Sequence, residues 1–321
     1  MADTAYSDRA YGDRAYRDGV AEEQLEADPQ LGDAVVEPAE DAVRGRPTLW
    51  RTVTANSSVI AGGVLLAIIV VVTVVIPFLS AEPTTQNVLS RLKPPGEAGL
   101  FGTDALGRDV FSRVVHGGRI SLAVGLAVAA VAVALGLLLG LLAGTIRWLD
   151  GIVMRVMDGL MAIPGILLAI ALISLSGASL ATVIIAITIP EIPRVVRLVR
   201  SVVLSVREEP YVEAAVAAGT RLPLVMTRHI LPNTIAPLIV QATYICGSAM
   251  LTEAILGFLG AGIPPEVPSW GNIMSEGRVY FRLTPWIIFF PGIMLALTVL
   301  AVNILGDGLR DTLDPKLAKG M

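Results

Sequence analysis

Apolar residues in this chain gather into blocks of about twenty, each closed by a polar or Pro/Gly-bearing break. A helix of that length crosses a hydrocarbon layer of about 30 Å. The pattern therefore predicts an all-α integral membrane protein with about six transmembrane helices. The first expected span, Ser58 to Phe78, is rich in Val and Ile, carries no charge and ends near Pro77. The second, Ile120 to Thr145, carries Gly136, Gly140 and Gly144 on one helix face, where another backbone can approach closely. The third, Met157 to Leu175, contains Pro164 and is expected to kink there. The fourth, Ser179 to Val199, holds Pro190 and Pro193 and runs into Arg194, Arg197 and Arg200, an end expected to face anionic headgroups. The fifth runs from Ile235 to Phe258 and the sixth from Pro285 to Leu305.

The connections differ in character. Residues 80–118 form a sizeable polar loop, and the fifth and sixth spans are joined by a loop with Pro264-Pro265, Pro268 and Trp270-Gly271. Between spans four and five, Pro210 suits the first turn of a helix and Gly219 the position just past its end. A helix of about nine residues, roughly 13 Å long, is predicted between them. A second short helix is predicted from Leu222, stopping before Pro232, to give a helix-turn-helix elbow. Ala214, Ala215, Ala217 and Ala218 give the first of these a thin surface beside the charge of Glu213. That is docking geometry for a partner's groove; a plain interfacial hairpin is the alternative.

Composition agrees with the pattern: 54% of the 321 residues are hydrophobic and 16% charged, which excludes an ordinary soluble domain. The net charge of -4 conceals a split, since residues 1–47 hold twelve acidic and five basic side chains. That segment opens on a near-repeat, Ala5-Tyr6-Ser7-Asp8-Arg9 then Ala10-Tyr11-Gly12-Asp13-Arg14, and reads as a disordered acidic tail. The expected organisation is this tail, then residues 48–118 with the first span and an external loop. A five-helix core over 119–306 with a cytoplasmic loop at 200–232 follows, and a polar tail at 307–321. With both termini inside, cytoplasmic segments hold seventeen of the twenty-four Lys and Arg residues and external loops seven, the bias expected of that orientation.

Little in the chain suggests catalysis. Cys246 stands alone inside a span, leaving no disulfide or cysteine metal site. His116 and His229 lie in different loops, and the H-E-x-x-H, G-x-S-x-G and G-x-x-x-x-G-K-[ST] patterns are missing. No metal site and no nucleotide site is expected, so energy for transport would come from a separate subunit. An intramembrane enzyme would need reactive groups within the spans. A channel or ATP-independent carrier would commonly bury a coupling charge at mid-membrane, and none stands out there.

Gln241, Tyr244, Ser248 and Thr252 fall within a sector of about 80° at 100° per residue. They are candidates for lining a translocation pathway, with hydrogen bonds to neighbouring helices as the alternative. Glu253 projects away from that stripe and is expected to pair with a neighbouring span, as is Glu191. Asp104, Arg108, Asp109 and Arg113 are expected to form a paired cluster fixing the external elbow, at the roughly 0–1 kcal/mol of an exposed pair. Asp307, Arg310 and Asp311 are read as a structural cap where span six exits.

Glu213-Ala214-Ala215, Gly219 and, after ten intervening residues, Ile230-Leu231-Pro232 resemble the EAA loop of bacterial ABC import permeases. Four further segments resemble the C-type subunit of the dipeptide/oligopeptide/nickel subgroup. These are Phe101 to Arg113; Met154 to Asp158 with Pro164; Glu253 to Gly260 with Pro268 to Gly271; and Gly306 to Asp311 with Asp314-Pro315. The resemblance implies a type I importer permease fold in a bacterial cell membrane and ATPase coupling through Glu213, Ala214, Ala215, Gly219, Ile230, Leu231 and Pro232. It implies as partners a second related permease, two ATPase subunits (or one fused dimeric ATPase) that hold the ATP and Mg, and an extracytoplasmic substrate-binding protein; no nucleic acid is expected. The cargo would be dipeptides or oligopeptides, with nickel or opine import as the alternative within the subgroup.

Overall fold

The computed structural model describes residues 56–80 and 82–313. The acidic segment 1–47 and the Asp314-Pro315 signature lie outside these residues. Among the described residues there are ten α-helices and no strand beyond an isolated antiparallel bridge between Thr103 and Asp109.

Helix α1 (Ser57–Val75) starts where Asn56 caps it, its Oδ1 accepting from the Ser58 N–H at 2.8 Å. It continues as a short 3₁₀ turn to Phe78 containing Pro77. Only Gly62, Ile69 and Thr73 of α1 are buried, as suits a helix apolar on all sides that faces lipid. Helix α2 (Val110–Thr145) has 36 residues and begins ten positions before the predicted span. Its first turns, with Ser112, Arg113 and His116, are too polar for an apolar run to mark, but the Asp109 carboxylate caps them through the Phe111 and Ser112 N–H groups.

The expected third span is not one helix. Helix α3 (Arg147–Met161) and helix α4 (Gly165–Ser176) meet at an 88° corner. Pro164 supplies no N–H and disfavours helical backbone at Ile163, so the break falls there. Helix α5 (Leu180–Arg207) follows, then α6 (Pro210–Ala217) and α7 (Leu222–Val225). The second elbow helix was expected to stop before Pro232. Instead a π turn over Met226–Ile230 carries the chain straight into α8 (Leu231–Phe258). Proline lacks an N–H and crowds the carbonyl four residues back; widening the turn just ahead of Pro232 lets the helix pass through it. Helix α9 (Trp270–Gly277) lies in the loop after α8, and α10 (Trp286–Leu313) extends eight residues beyond the expected Leu305.

Among the described residues, four stretches are long and apolar enough to cross a membrane: α1 with its 3₁₀ turn, α2, the continuous Leu222–Phe258, and α10. The α3–α4 pair makes a fifth if counted as one span. Helix α5 is the sixth by length, its 28 residues reaching about 42 Å, though not by composition.

The centre of the bundle is the α2–α5 contact. Gly136, Gly140 and Gly144 each receive a valine of α5, Val195, Val199 and Val203 in turn, all three fully buried. A Cβ built at Gly140 would stand 2.6 Å from the Val199 Cβ and 2.9 Å from the Val196 carbonyl oxygen, so only glycine permits this approach. Arg194, Arg197 and Arg200 were expected to face headgroups. Each also has a partner within the protein: Arg200 with Asp150 at 2.7 Å, Arg197 with Asp158 at 2.6 Å, and Arg194 with Glu191 at 3.1 Å, with Arg194 and Arg197 remaining exposed. Two of these acids lie on α3, which the sequence pattern placed partly in a loop.

Candidate coupling and translocation sites

Where α2, α5 and α6 converge, the Arg207 guanidinium donates to the Gly144 carbonyl at 2.9 Å and joins the ends of α2 and α5. From this corner the chain turns into α6. Pro210 occupies its first turn, where a missing N–H costs nothing. Gly219 ends it with φ of +80°, a left-handed conformation that disfavours any side chain. The Thr220 N–H reaches the Ala215 carbonyl at 3.1 Å and the Gly219 N–H the Val216 carbonyl at 2.9 Å, a Schellman stop that satisfies two terminal carbonyls.

The elbow has two sides. Glu213, Ala214, Val216, Ala217, Ala218, Gly219, Leu222 and Leu224 are exposed and Ala215 is half-buried. Val212, Val225 and Ile230 are buried in the main core cluster with Val203. Ile230, expected among the coupling residues, therefore faces the protein's own interior and holds the elbow in place; Leu231 is half-buried, and Pro232 is exposed. A cavity of about 430 Å³ lies beneath, lined in part by Thr145, Arg207, Glu213 and Ile230. Asn233 was missed by the sequence reading. Its side-chain amide donates to the Tyr211 hydroxyl at 3.2 Å and the His229 carbonyl at 2.6 Å, pinning α6 to the start of α8.

On α8 the polar stripe divides. Tyr244, exposed, donates its hydroxyl to Asp307 of α10 at 2.8 Å. Ser248 donates to Glu191 of α5 at 3.4 Å, and Thr252 to the Ser248 carbonyl of its own helix at 2.9 Å. Gln241 borders a pocket of about 600 Å³ that also touches Asn233, Tyr244 and Arg310. All four positions are thus exposed or half-buried, and Tyr244 and Ser248 also bond to neighbouring helices. Glu253 lies apart from them, fully buried, and accepts from the Ser121 hydroxyl of α2 at 3.0 Å.

At the opposite end Asp104, Arg108 and Arg113 come together, with one further member the sequence reading did not include. Arg113 donates to Asp104 at 2.8 Å and to both oxygens of Glu276 on α9 at 2.6 and 2.9 Å. Arg108 donates to Asp104 at 2.6 Å and also pairs with Glu276. Asp109 is not part of this pairing, because its carboxylate is occupied in capping α2. Nor are the pairs exposed: Asp104 and Arg113 are each 1% accessible, so the surface value assumed for them does not apply. Trp270, fully buried, adds a bond from its indole N–H to the Val114 carbonyl at 2.9 Å and one from its backbone N–H to the Ser121 hydroxyl at 3.4 Å, so α9 is fastened to α2 at both of its ends.

Residues 120–319 match the family model described as binding-protein-dependent transport system inner membrane component. The chain belongs to this family. Among its relatives, a probable peptide ABC transporter permease protein of Sinorhizobium fredii is 53% identical over 84% of this chain and 92% of its own length. A dipeptide transport system permease protein of Alkalihalophilus pseudofirmus is 41% identical, covering 84% and 89%. A glutathione transport system permease protein of Pectobacterium atrosepticum is 39% identical, covering 70% and 74%. A solved inward-facing form of a methionine ABC transporter aligns with a TM-score of 0.52 over 63% of this chain and 96% of that one, at 20% identity, and so is similar in fold. This family member is thus an integral membrane transport component with a helical importer-permease fold, and its matched region contains the elbow.

Proposed function

We propose that the chain is the permease subunit of an ATP-driven ABC importer for dipeptides and oligopeptides, forming half of the translocation pathway. Peptide cargo is favoured by the relatives named for peptide, dipeptide and glutathione transport, which match most of this chain. The observation that carries the coupling half of the reading is α6, a thin alanine surface with one exposed acid on a base of buried Val212, Val225 and Ile230.

In this reading the end bearing α6 is cytoplasmic, as are both termini. A second related permease completes the pathway, an extracytoplasmic binding protein delivers cargo, and two ATPase subunits hold ATP and Mg. The chain itself performs no catalysis. Closure of the ATPase dimer on ATP draws α6 inward. Because α6 is tied to α8 through Tyr211 and Asn233, and α5 to α2 through Arg207 and Gly144, the displacement is carried into the spans. The stripe of Gln241, Tyr244, Ser248 and Thr252 is the proposed lining on α8, where polar groups can meet a peptide backbone that lipid would not accept. Hydrolysis resets the arrangement.

Glu213→Arg and Gly219→Pro, made in the assembled transporter, test this. ATP-driven peptide uptake is expected to be lost while the chain still inserts and purifies at normal yield; unchanged uptake in both variants would remove α6 from the mechanism.

A further inference from the structure

The corner at Pro164 leaves α3 doing something the sequence pattern did not anticipate. Asp150 and Asp158 are eight residues apart on α3, about 12 Å along its axis, yet their partners Arg200 and Arg197 are a single turn apart on α5. The two pairs fasten α3 to α5 in antiparallel order, Asp158 to Arg197 and Asp150 to Arg200, and the 88° corner turns α3 away from the direction of α4. It follows directly on the end of α2, on the side of the bundle that carries α6. Its inner face is settled: Val153 and Met157 are buried, packing with Ala143 of α2 and Val196 of α5.

The outer face is sorted with equal clarity. At 100° per residue, Trp148 and Arg155 project within about 20° of one another, opposite Val153 and Met157. Trp148 is 70% exposed, and Ile152 and Val156, on one flank, are 56% and 54% exposed. Arg147 is exposed on the other flank. Asp150 is paired with Arg200, and Asp158, 61% exposed beside Arg147 on the outward side, has its charge paired with Arg197 at 2.6 Å, whereas neither Arg147 nor Arg155 has an ion-pair partner among the described residues. Gly151 and Gly159 lie on the same open face with nothing near them.

We infer that α3 is a membrane-surface helix whose outward face, Arg147, Trp148, Ile152, Arg155 and Val156, binds anionic phospholipid in the leaflet on the α6 side. A tryptophan between an apolar edge and unpaired guanidinium groups is the arrangement that a headgroup boundary selects. The arginines supply attraction to phosphate, and Ile152 and Val156 enter the acyl region. Helix α3 is also joined to α5 by two ion pairs, so lipid bound there bears on the helix that leads into the elbow. The inference uses the membrane placement of the bundle and is independent of cargo and ATPase.

The test places the assembled transporter in nanodiscs containing brominated phosphatidylglycerol or brominated phosphatidylcholine and measures tryptophan quenching. The difference between the parent and Trp148→Phe isolates Trp148. Its emission is expected to be quenched more strongly by the anionic lipid, and Arg147→Gln/Arg155→Gln is expected to weaken that preference by about 5-fold for each arginine removed. Equal quenching by the two lipids would overturn the inference, and so would an unquenched Trp148. In the second case, a photo-crosslinker at Val156 that captured the companion permease would assign the face to a protein interface. Peptide uptake, assayed separately in the parent, reports on the transport reading alone.

Discussion

Replacing Arg113 by methionine probes the external cluster with little change in side-chain length. The wild-type guanidinium is 2% exposed and makes three charge-assisted hydrogen bonds, one to Asp104 and two to Glu276. Breaking a buried ion pair from one side costs about 3–5 kcal/mol, mostly through the charge left behind. Here Asp104 keeps Arg108 at 2.6 Å and the N–H groups of Leu106 and Arg108 at 2.8 and 3.0 Å, and Glu276 keeps Arg108. The loss therefore falls at the lower end, about 3 kcal/mol, which lowers the unfolding midpoint by roughly 4–5 °C for a chain of this size. Cys246 offers the readout. It is the only cysteine, it lies against Gly125 of α2, and a maleimide dye reacts with it as α8 separates. Arg113→Met/Glu276→Gln is expected to be less destabilised than the sum of the single variants by ~0.5–3 kcal/mol, since each partner compensates for the other's removal. A midpoint for Arg113→Met within 2 °C of the parent, in a correctly inserted chain, would refute the reasoning and return the cluster to the status of a surface pair.

Three further outcomes follow from the packing. Gly140→Leu drives a side chain into Val199 and the Val196 carbonyl, so the α2–α5 contact fails and the yield of folded chain in the membrane drops, whereas Gly151→Leu, with open space around it, is tolerated. Gly219→Ala forces a Cβ into left-handed backbone and lowers stability by about 1 kcal/mol, measured as a shift in the thermal midpoint, with α6 otherwise intact. Trp270→Phe loses the bond to the Val114 carbonyl and costs about 1 kcal/mol, a small drop in the same midpoint that should appear together with faster hydrogen exchange in α9.

Wherever a single physical signal dominated, the fold was legible in the sequence. Unbroken apolar runs marked α1 and most of α2, α8 and α10, and Pro210 with Gly219 bracketed α6. The failures came where two signals competed. Pro164 predicted a kink, but the polarity of the preceding residues, which in α3 includes the acids paired with α5, was read as loop. Pro232 predicted a stop, yet a π turn ahead of it lets the helix run on into α8. The partners of two α5 arginines, Asp150 and Asp158, were out of view because they are about forty to fifty positions away. Glu276 escaped for the same reason, lying 163 residues from Arg113. In the candidate site, Glu213 and the alanines were readable as a surface. That Ile230 turns inward could be known only once Val212 and Val225 had been placed beside it.

The central claim is that this chain moves cargo only when a separate ATPase grips α6. Purifying the tagged chain in mild detergent, identifying what accompanies it by mass spectrometry and assaying the eluate for ATP hydrolysis tests that most directly. The account predicts a second permease and ATP-hydrolysing subunits that are lost with Glu213→Arg; a chain that purifies alone and still transports without ATP would contradict it.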